Sequence, residues 1–156
     1  MNKYYFEGKT QEQAINLALY ELNISEDDLI VNNVEDKSSL LKKNVKIEVL
    51  NIKEIISFIK DTLNKITELM GAKSNLEVKR REKSISVTIF SENNAILIGK
   101  NGKNVAALQL LIRQMINSKL KEPLSIIIDV GNYKEKRARS IEYLAKKLAR
   151  EAYKTK

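Results

Sequence analysis

Cysteine, histidine and tryptophan are all absent from the 156 residues of this chain. Without cysteine, disulfide bonds and thiolate zinc sites are excluded. Without histidine, the chain lacks the usual general base, the commonest metal ligand and every Ser/His/Asp or Cys/His arrangement. The carboxylates show no DxD or EF-hand-like spacing either. We therefore predict that the protein is not an enzyme and needs no metal or other cofactor.

Long hydrophobic runs are also missing. No apolar stretch approaches the roughly 20 residues that a membrane-spanning helix needs, and the amino terminus has no apolar core of the kind found in signal peptides. Hydrophobic residues make up 43% of the chain and charged residues 31%, which is typical of a soluble globular protein. Together with the lack of cysteine, this predicts a cytoplasmic protein without a membrane span.

Negative charge is concentrated in the first third of the chain. Residues 1–50 carry a net charge of −3, residues 51–130 carry +5 and residues 131–156 carry +6, for a total of +8. Phosphate contacts made by lysine and arginine supply much of the affinity of proteins for nucleic acids. We therefore expect a polyanion to bind the last two-thirds of the chain.

The first fifty residues carry the pattern of a small β-α-β-β unit. Strands are predicted at 3–7, 29–34 and 45–50, the last because apolar and charged residues alternate along it. Thr10 and Gln13 have capping-box spacing, and apolar residues then follow at helical spacing: Ile15, Ala18, Leu19 and Leu22. A loop is predicted at 36–43.

The middle of the chain begins with an amphipathic helix over residues 52–70. Strands at 76–79 and 84–90 then form a hairpin, and its turn is strongly basic: Lys79, Arg80, Arg81 and Lys83. A further helix starts near Lys103 and buries one face, formed by Val105, Leu108, Ile112, Met115 and Ile116. The turn is expected to be a solvated tip or a nucleic-acid contact.

The end of the chain is predicted to form one strand and one long helix. Residues 124–130 are almost continuously apolar, as expected for a central strand covered on both faces. The helix spans about residues 133–153 and is expected to bury Ile141, Leu144, Ala145, Leu148, Ala149 and Ala152. Its other face is basic, as a nucleic-acid surface or an ordinary exposed helix would be.

The segment Ile98-Gly99-Lys100-Asn101-Gly102 joins a short apolar stretch to the helix that starts near Lys103. Its two glycines allow a tight turn, and the helix that follows presents free backbone N–H groups at its amino terminus. This is the chemistry of the GxxG loop of KH domains, which clamps about four nucleotides of a single strand. Helix-turn-helix corners also use glycine, for purely steric reasons. A P-loop is excluded by the spacing of the glycines.

The order of elements from residue 52 decides between these readings. Helix, strand, strand, short helix, GxxG, helix and strand follow each other as in a prokaryotic, or type II, KH domain. We therefore predict an α+β protein with three parts: an amino-terminal domain at 1–50, a type II KH domain at 51–123, and a carboxyl-terminal strand and helix at 124–156. The strand at the start of the last part completes the three-stranded KH sheet.

Three segments of the chain resemble the bacterial Jag family, also called KhpB. They are YFEGKTQEQA at 5–14, AILIGKNGKNVAALQLL at 95–111 and IIDVGNY at 127–133, which is followed by a basic stretch. The resemblance implies a Jag amino-terminal domain, a KH domain and the beginning of an R-three-H domain. The Arg-x-x-x-His signature of that last domain is absent, and residues 38–41 replace a glycine-rich aromatic loop.

The family resemblance implies a post-transcriptional RNA-binding regulator or RNA chaperone linked to cell elongation, division and cell-wall homeostasis. It also implies pairing through the KH unit, as a homodimer or with a small KH-only protein. The acidic amino-terminal domain would repel RNA and is a candidate surface for a protein partner. The alternative function is therefore a protein-interaction adaptor whose KH unit mainly mediates dimerisation.

The predicted RNA-binding residues lie mainly in the GxxG segment, where Ile98 is expected to anchor the loop in the core. Val87, Ile96 and Val105 are expected to offer aliphatic surface to bases, whereas aromatic stacking is not predicted because aromatics form only 6% of the chain. The complete set is Ile98, Gly99, Lys100, Asn101, Gly102, Lys103, Arg113, Arg80 and Arg81. A second basic face is predicted at Lys146, Lys147 and Arg150.

Overall fold

The computed structural model describes residues 1–36, 44–82 and 84–154. The predicted loop at 36–43 lies outside the described residues from residue 37 onward, and so does Lys83 of the basic turn. The described chain forms six strands and five helices in this order: β1 (Tyr4–Gly8), α1 (Gln11–Leu22), β2 (Leu29–Asp36), β3 (Val45–Asn51), α2 (Ile52–Leu69), β4 (Ser74–Arg81), β5 (Ser84–Ser91), α3 (Asn94–Ile98), α4 (Lys103–Asn117), β6 (Ser125–Val130) and α5 (Tyr133–Lys154).

The amino-terminal unit is the predicted β-α-β-β unit. Its strands form an antiparallel sheet in the order β1-β3-β2. Helix α1 lays Ala14 and Ala18 against Phe6, Ile47 and Val49 of this sheet. The small alanine side chains let the helix approach the strands closely. The capping interaction predicted for this helix is confirmed, because the hydroxyl of Thr10 accepts a hydrogen bond of 3.2 Å from the backbone N–H of Gln13.

The second sheet has the order β4-β5-β6, with β4 antiparallel and β6 parallel to the central strand β5. Helices α2 and α4 contribute the buried residues Ile55, Ile59, Leu108 and Ile112 to the core of this unit. Alternate residues of β5 complete that core, as the alternation along the strand predicts. The two sheets with their helices confirm the predicted α+β fold class.

The prediction for the last strand is wrong in its position. Strand β6 lies at an edge of the sheet and not at its centre, because only β5 pairs with it. Ile127 is 42% exposed, so one face of the strand is not covered by the described residues. Side chains of α4 close the free edge instead. Asn117 bonds both backbone groups of Leu124 at 3.0 Å, and Gln109 accepts from the N–H of Ile128.

The predicted buried face of the last helix is also wrong. No residue of α5 is buried by the part of the chain that the structure describes. The helix has 22 residues and is therefore about 33 Å long. Tyr133, its first residue, packs against the core, while the rest of the helix extends away from the sheet. The apolar side chains Ile141, Leu144, Ala145, Leu148, Ala149 and Ala152 are consequently exposed.

A buried carboxylate joins the two units. Asp28 lies directly before β2, and its oxygens accept from Arg80 Nη1 at 2.6 Å and from Lys53 Nζ at 2.8 Å. Ser25 donates its hydroxyl to the same carboxylate at 2.9 Å. These donors, led by Lys53, lower the pKa of Asp28 to about 2. An acidic residue of the first unit is thereby tied to basic residues of the second.

A β-bulge provides a second connection. The register of β2 against β3 shifts between Val31 and Asn33, so Asn32 is left out of the ladder and its side chain turns towards the second unit. There its amide accepts from the backbone N–H of Lys121 at 2.7 Å and donates to the carbonyl of Lys119 at 3.2 Å. The amino-terminal unit is therefore docked against the segment that follows α4.

Candidate nucleic-acid interface

The GxxG segment forms a tight turn between α3 and α4. Gly99, Asn101 and Gly102 all have positive φ angles, of 69°, 56° and 81°. Glycine adopts such angles freely, and asparagine tolerates them better than most residues. The N–H of Gly102 closes the turn by donating to the carbonyl of Gly99 at 3.2 Å. The predicted tight turn forms because its positive φ angles fall on glycine and asparagine, the residue types that adopt such angles most readily.

Each glycine is also required by a close neighbour. A Cβ on Gly99 would lie 2.5 Å from the side-chain carbon Cγ of Asn104, and one on Gly102 would lie 2.7 Å from the Tyr133 ring. Asn104 is held in place because its amide donates to the carbonyl of Ile96 at 2.7 Å. The space beside each glycine is therefore occupied by a side chain of the protein itself.

The tip of the loop carries the groups that remain open to a ligand. Lys100, Asn101 and Lys103 are exposed, and neither lysine forms an ion pair with any described residue. Ile98 is half-buried and packs against the core, which confirms its predicted role as an anchor. No side chain within the described residues caps the amino terminus of α4. The free N–H groups and the positive end of the helix dipole therefore add to the charges of the two lysines.

One flank of α4 leads from the loop towards the edge of β6. Gln109 Oε1 accepts there from the N–H of Ile128 at 3.0 Å and from Lys134 Nζ at 2.7 Å. Arg113 is exposed on the same flank, about 15 Å along the helix from Lys103. Sequence reasoning missed Gln109 and Lys134. The signal available for Lys134 was its place directly after the turn that leads out of β6.

The aliphatic surface predicted for bases is reduced to one residue. Val87 and Val105 belong to the buried core and offer no surface to a ligand, so their prediction is wrong. Ile96 is 46% exposed on α3, next to the loop. Val87 occupies a core position in the alternation of β5, and Val105 occupies one in the helical repeat of α4, which explains why both valines face inward.

The basic turn of the β4–β5 hairpin lies at the opposite end of the sheet from the loop. Strand β5 starts at this turn and ends shortly before α3, and its eight residues span about 23 Å. Arg80 is half-buried there and donates both to the carboxylate of Asp28 and to the carbonyl of Asp27. Arg81 is exposed. Arg80 therefore serves the contact between the units, and neither arginine adjoins the loop. RNA contact by these two arginines stays a prediction.

The second basic face is exposed on α5. Lys146 pairs with Glu142 at 2.6 Å and Lys147 with Glu151 at 3.9 Å, each one helical turn apart. Arg150 forms no ion pair with the described residues. The face joins the loop region at its start, because Tyr133 at the beginning of α5 is the residue that touches Gly102.

Comparisons with known proteins agree with this architecture. The family model described as the KH domain of KhpA/KhpB matches residues 57–128, and the model described as the Jag N-terminus matches residues 6–50. A protein of Clostridium symbiosum named RNA-binding protein KhpB is 29% identical over 161 residues, which cover 96% of this chain and 70% of that protein.

Two further relatives carry the same name. The RNA-binding protein KhpB of Bacillus subtilis (strain 168) is 28% identical over 96% of this chain and 74% of its own length. That of Streptococcus pneumoniae serotype 2 (strain D39) is 25% identical over 96% of this chain and 43% of its own length. Two family models match the two units in the expected order, and relatives of one name align with 96% of this chain. The chain belongs to the Jag/KhpB family.

Membership of the Jag/KhpB family accounts for the GxxG turn, which lies inside the range matched by the KH model. The relatives are named as RNA-binding proteins and not as enzymes, in agreement with the prediction that this chain is not an enzyme. Helix α5 lies beyond both matched ranges, so its assignment to an R-three-H domain stays a prediction. Among the helices that the structure describes, none has the length and apolar character needed to cross a membrane.

Proposed function

We propose that this protein binds single-stranded RNA and clamps its backbone at residues 98–103. The observation that carries the proposal is the exposed Lys100-Asn101 tip set over the uncapped amino terminus of α4, inside a KH domain. Lys100 and Lys103 supply full positive charges, and the free N–H groups supply donors for phosphate oxygens. Gly99 and Gly102 keep the turn in the shape that exposes its tip.

The flank of α4 extends the proposed interface beyond the loop. Lys134 is held beside Gln109, and Arg113 is exposed further along the helix. A strand that leaves the clamp along this flank meets one amide and two cations. Arg80 and Arg81 stand outside the interface because they lie at the other end of the sheet.

The proposed role in the cell comes from the family. We propose a cytoplasmic post-transcriptional regulator or RNA chaperone that acts in cell elongation and cell-wall homeostasis. Curated relatives that align with almost the whole chain bear the name RNA-binding protein KhpB. A second copy, or a small KH-only protein, is the proposed partner for the KH unit.

The amino-terminal unit supports a second candidate function, that of a protein-interaction adaptor. Residues 1–50 carry a net charge of −3 in a chain with a net charge of +8, so this unit repels RNA. In this case the KH unit mediates dimerisation and the acidic unit holds a protein partner. Association with a protein that is insensitive to salt, without retention of RNA, is the expected behaviour of an adaptor.

The test is fluorescence anisotropy with labelled single-stranded RNA of randomised sequence, about fifteen nucleotides long. The variant combines Lys100→Asp with Asn101→Asp, which places negative charge at the tip. A matched control combines Lys60→Asp with Asn64→Asp, which makes the same change in charge on exposed positions of α2. We expect binding to be lost in the loop variant, to persist in the control, and to weaken in the wild type between about 50 and 200 mM salt.

Circular dichroism of both variants establishes that they remain folded. Equal affinity of the loop variant and the control would contradict the proposed clamp. Absence of RNA binding by the wild type, together with stable association with a protein, would favour the adaptor.

A further inference from the structure

Helix α5 carries an exposed aromatic residue in the middle of its basic face. Tyr143 is 71% exposed. Residues three, four and seven positions away share its side of a helix, and those positions hold Arg139, Lys146, Lys147 and Arg150. Lys136 lies on the same side, one further turn towards the amino terminus. The ring is therefore surrounded by cations and not by other apolar side chains.

The side chains around Tyr143 form a shallow groove of about 300 Å³ along the helix. Its lining consists of Tyr143, Lys146, Lys147, Arg150, Glu151 and Lys154. One wall is an aromatic face and the others are mostly cationic. Because no part of the described chain covers this groove, both kinds of surface are open to a ligand.

The charge of the groove is available to a polyanion. Residues 133–154 contain eight lysines and arginines against three glutamates. The exposed pairs Arg139–Glu135 and Lys146–Glu142 are one-turn helix pairs, and solvent-exposed pairs of this kind contribute little to stability. Phosphates can replace these carboxylates at small cost, and they match the excess of positive charge.

We propose that Tyr143 stacks on a base of single-stranded RNA while Lys146, Lys147 and Arg150 hold the neighbouring phosphates. An aromatic platform beside a basic track is the arrangement by which proteins bind single strands with little sequence preference. An acidic peptide would satisfy the same cations but would make no use of the ring. The combination of ring and charge therefore favours a nucleic acid.

The proposed site is within reach of an RNA strand held by the GxxG loop, so this inference rests on the proposed function. Tyr133 contacts Gly102 at the beginning of α5, and Tyr143 follows ten residues later, about 15 Å along the helix axis. An RNA of about five nucleotides fills the clamp alone. A longer RNA reaches both sites, and its second contact then forms at a high effective concentration.

The experiment uses the full chain and two labelled RNA pools of randomised sequence, about five and about fifteen nucleotides long. Tyr143→Leu removes the ring and keeps the helix, and Tyr143→Phe keeps the ring. Tyr20→Leu is the matched control, because Tyr20 is an 85% exposed tyrosine on α1 of the acidic unit. We expect Tyr143→Leu to weaken binding of the longer pool about fivefold or more, to leave the shorter pool unchanged, and to be rescued by Tyr143→Phe.

A direct readout of stacking is available because the chain contains no tryptophan. In a Tyr143→Trp variant we expect the longer RNA pool to quench the indole fluorescence. In a Tyr20→Trp variant we expect the indole fluorescence to stay unchanged. Unchanged affinity of Tyr143→Leu for the longer pool, with no quenching in Tyr143→Trp, would overturn the proposal. If the wild type fails to bind the shorter pool, the clamp fails, and the quenching experiment still decides the role of Tyr143.

Discussion

Gly102 meets two separate demands, a φ angle of 81° and a Tyr133 ring that leaves no space for a Cβ. Gly71, after α2, has a similar φ angle of 74° but no atom within 4 Å of a Cβ. An alanine at Gly71 therefore suffers only from the positive φ angle, whereas an alanine at Gly102 also clashes with the tyrosine ring. The comparison also tests whether the loop and α5 are packed together as described.

We predict that Gly71→Ala lowers the free energy of unfolding by about 1 kcal/mol, the usual cost of a left-handed backbone for alanine. Gly102→Ala should lower it by about 2–4 kcal/mol, because the tyrosine ring must also move. Urea unfolding followed by circular dichroism measures both values. Equal losses in the two variants would show that the ring does not press on Gly102.

Asp28 makes the stability of the chain depend on pH. Its pKa is lowered to about 2 from an ordinary value of 3.8, first by Lys53 and then by Ser25 and Arg80. A carboxylate with a lowered pKa in the folded state stabilises the protein above its unfolded pKa, and this contribution is lost as the pH falls towards the folded pKa. We estimate the contribution as about 1–2 kcal/mol at neutral pH.

The prediction is that Asp28→Asn destabilises the protein most above about pH 4. The difference from the wild type should shrink between about pH 4 and pH 2, where the wild-type carboxylate takes up its proton. Urea unfolding of both chains at several pH values tests this. A difference that stays constant over that range would mean that the ion pairs of Asp28 contribute nothing.

Among the elements, the β4–β5 hairpin places adjacent arginines in different surroundings. Arg80 points towards the amino-terminal unit and bonds Asp28 and the carbonyl of Asp27, whereas Arg81 faces solvent. The alternation of side chains along a strand is the physical reason. Sequence reasoning treated the two as one basic turn because it had no knowledge of the acidic residue that lies opposite.

We predict that Arg80→Gln lowers the free energy of unfolding by about 1–3 kcal/mol, since hydrogen bonds to a charged partner are lost. Arg81→Gln should have almost no effect on stability. Neither substitution should change RNA affinity at moderate salt, because both residues lie far from the loop. A loss of RNA affinity in Arg81→Gln without a loss of stability would show that the hairpin tip belongs to the RNA interface.

The sequence predicted the elements better than their surroundings. The periodicity of α4 predicted that Leu108, Ile112 and Ile116 would be buried, since this helix packs against a sheet of complementary pattern. The stripe predicted for α1 was less accurate, because its buried residues are Ala14 and Ala18 and the stripe contained only Ala18. The same reasoning was wrong for α5, where Ile141 and Leu148 repeat at helical spacing but no described element covers them. An apolar stripe predicts a face that is able to pack, and it does not say whether a partner is present.

The candidate site was predictable in its loop and not in its extension. Glycine spacing and the order of elements pointed to residues 98–103 without any structure. Gln109 and Lys134 are 25 residues apart, and the packing of α4 against β6 brings them together. The edge position of β6 was missed because a continuous apolar run does not distinguish a central strand from an edge strand whose rim is closed by Asn117 and Gln109.

At the scale of the whole molecule, net charge is separated between the two units, and one of the contacts between them is ionic. Asp28 of the first unit pairs with both Lys53 and Arg80, whereas Lys100 and Lys103 of the loop form no ion pair with the described residues. The docked amino-terminal unit therefore neutralises basic residues away from the proposed interface. We therefore expect a polyanion to meet its strongest attraction at the loop and along α5.

The central claim is that RNA is held at the GxxG loop. It is tested most directly by nuclear magnetic resonance of the isotope-labelled chain during titration with the pool of about five nucleotides. We predict that the amide signals of Gly99, Lys100, Asn101 and Gly102 and of the first turn of α4 shift together, while those of the β4–β5 hairpin tip stay in place. Shifts confined to α5 or to the amino-terminal unit, with the loop unchanged, would contradict the account.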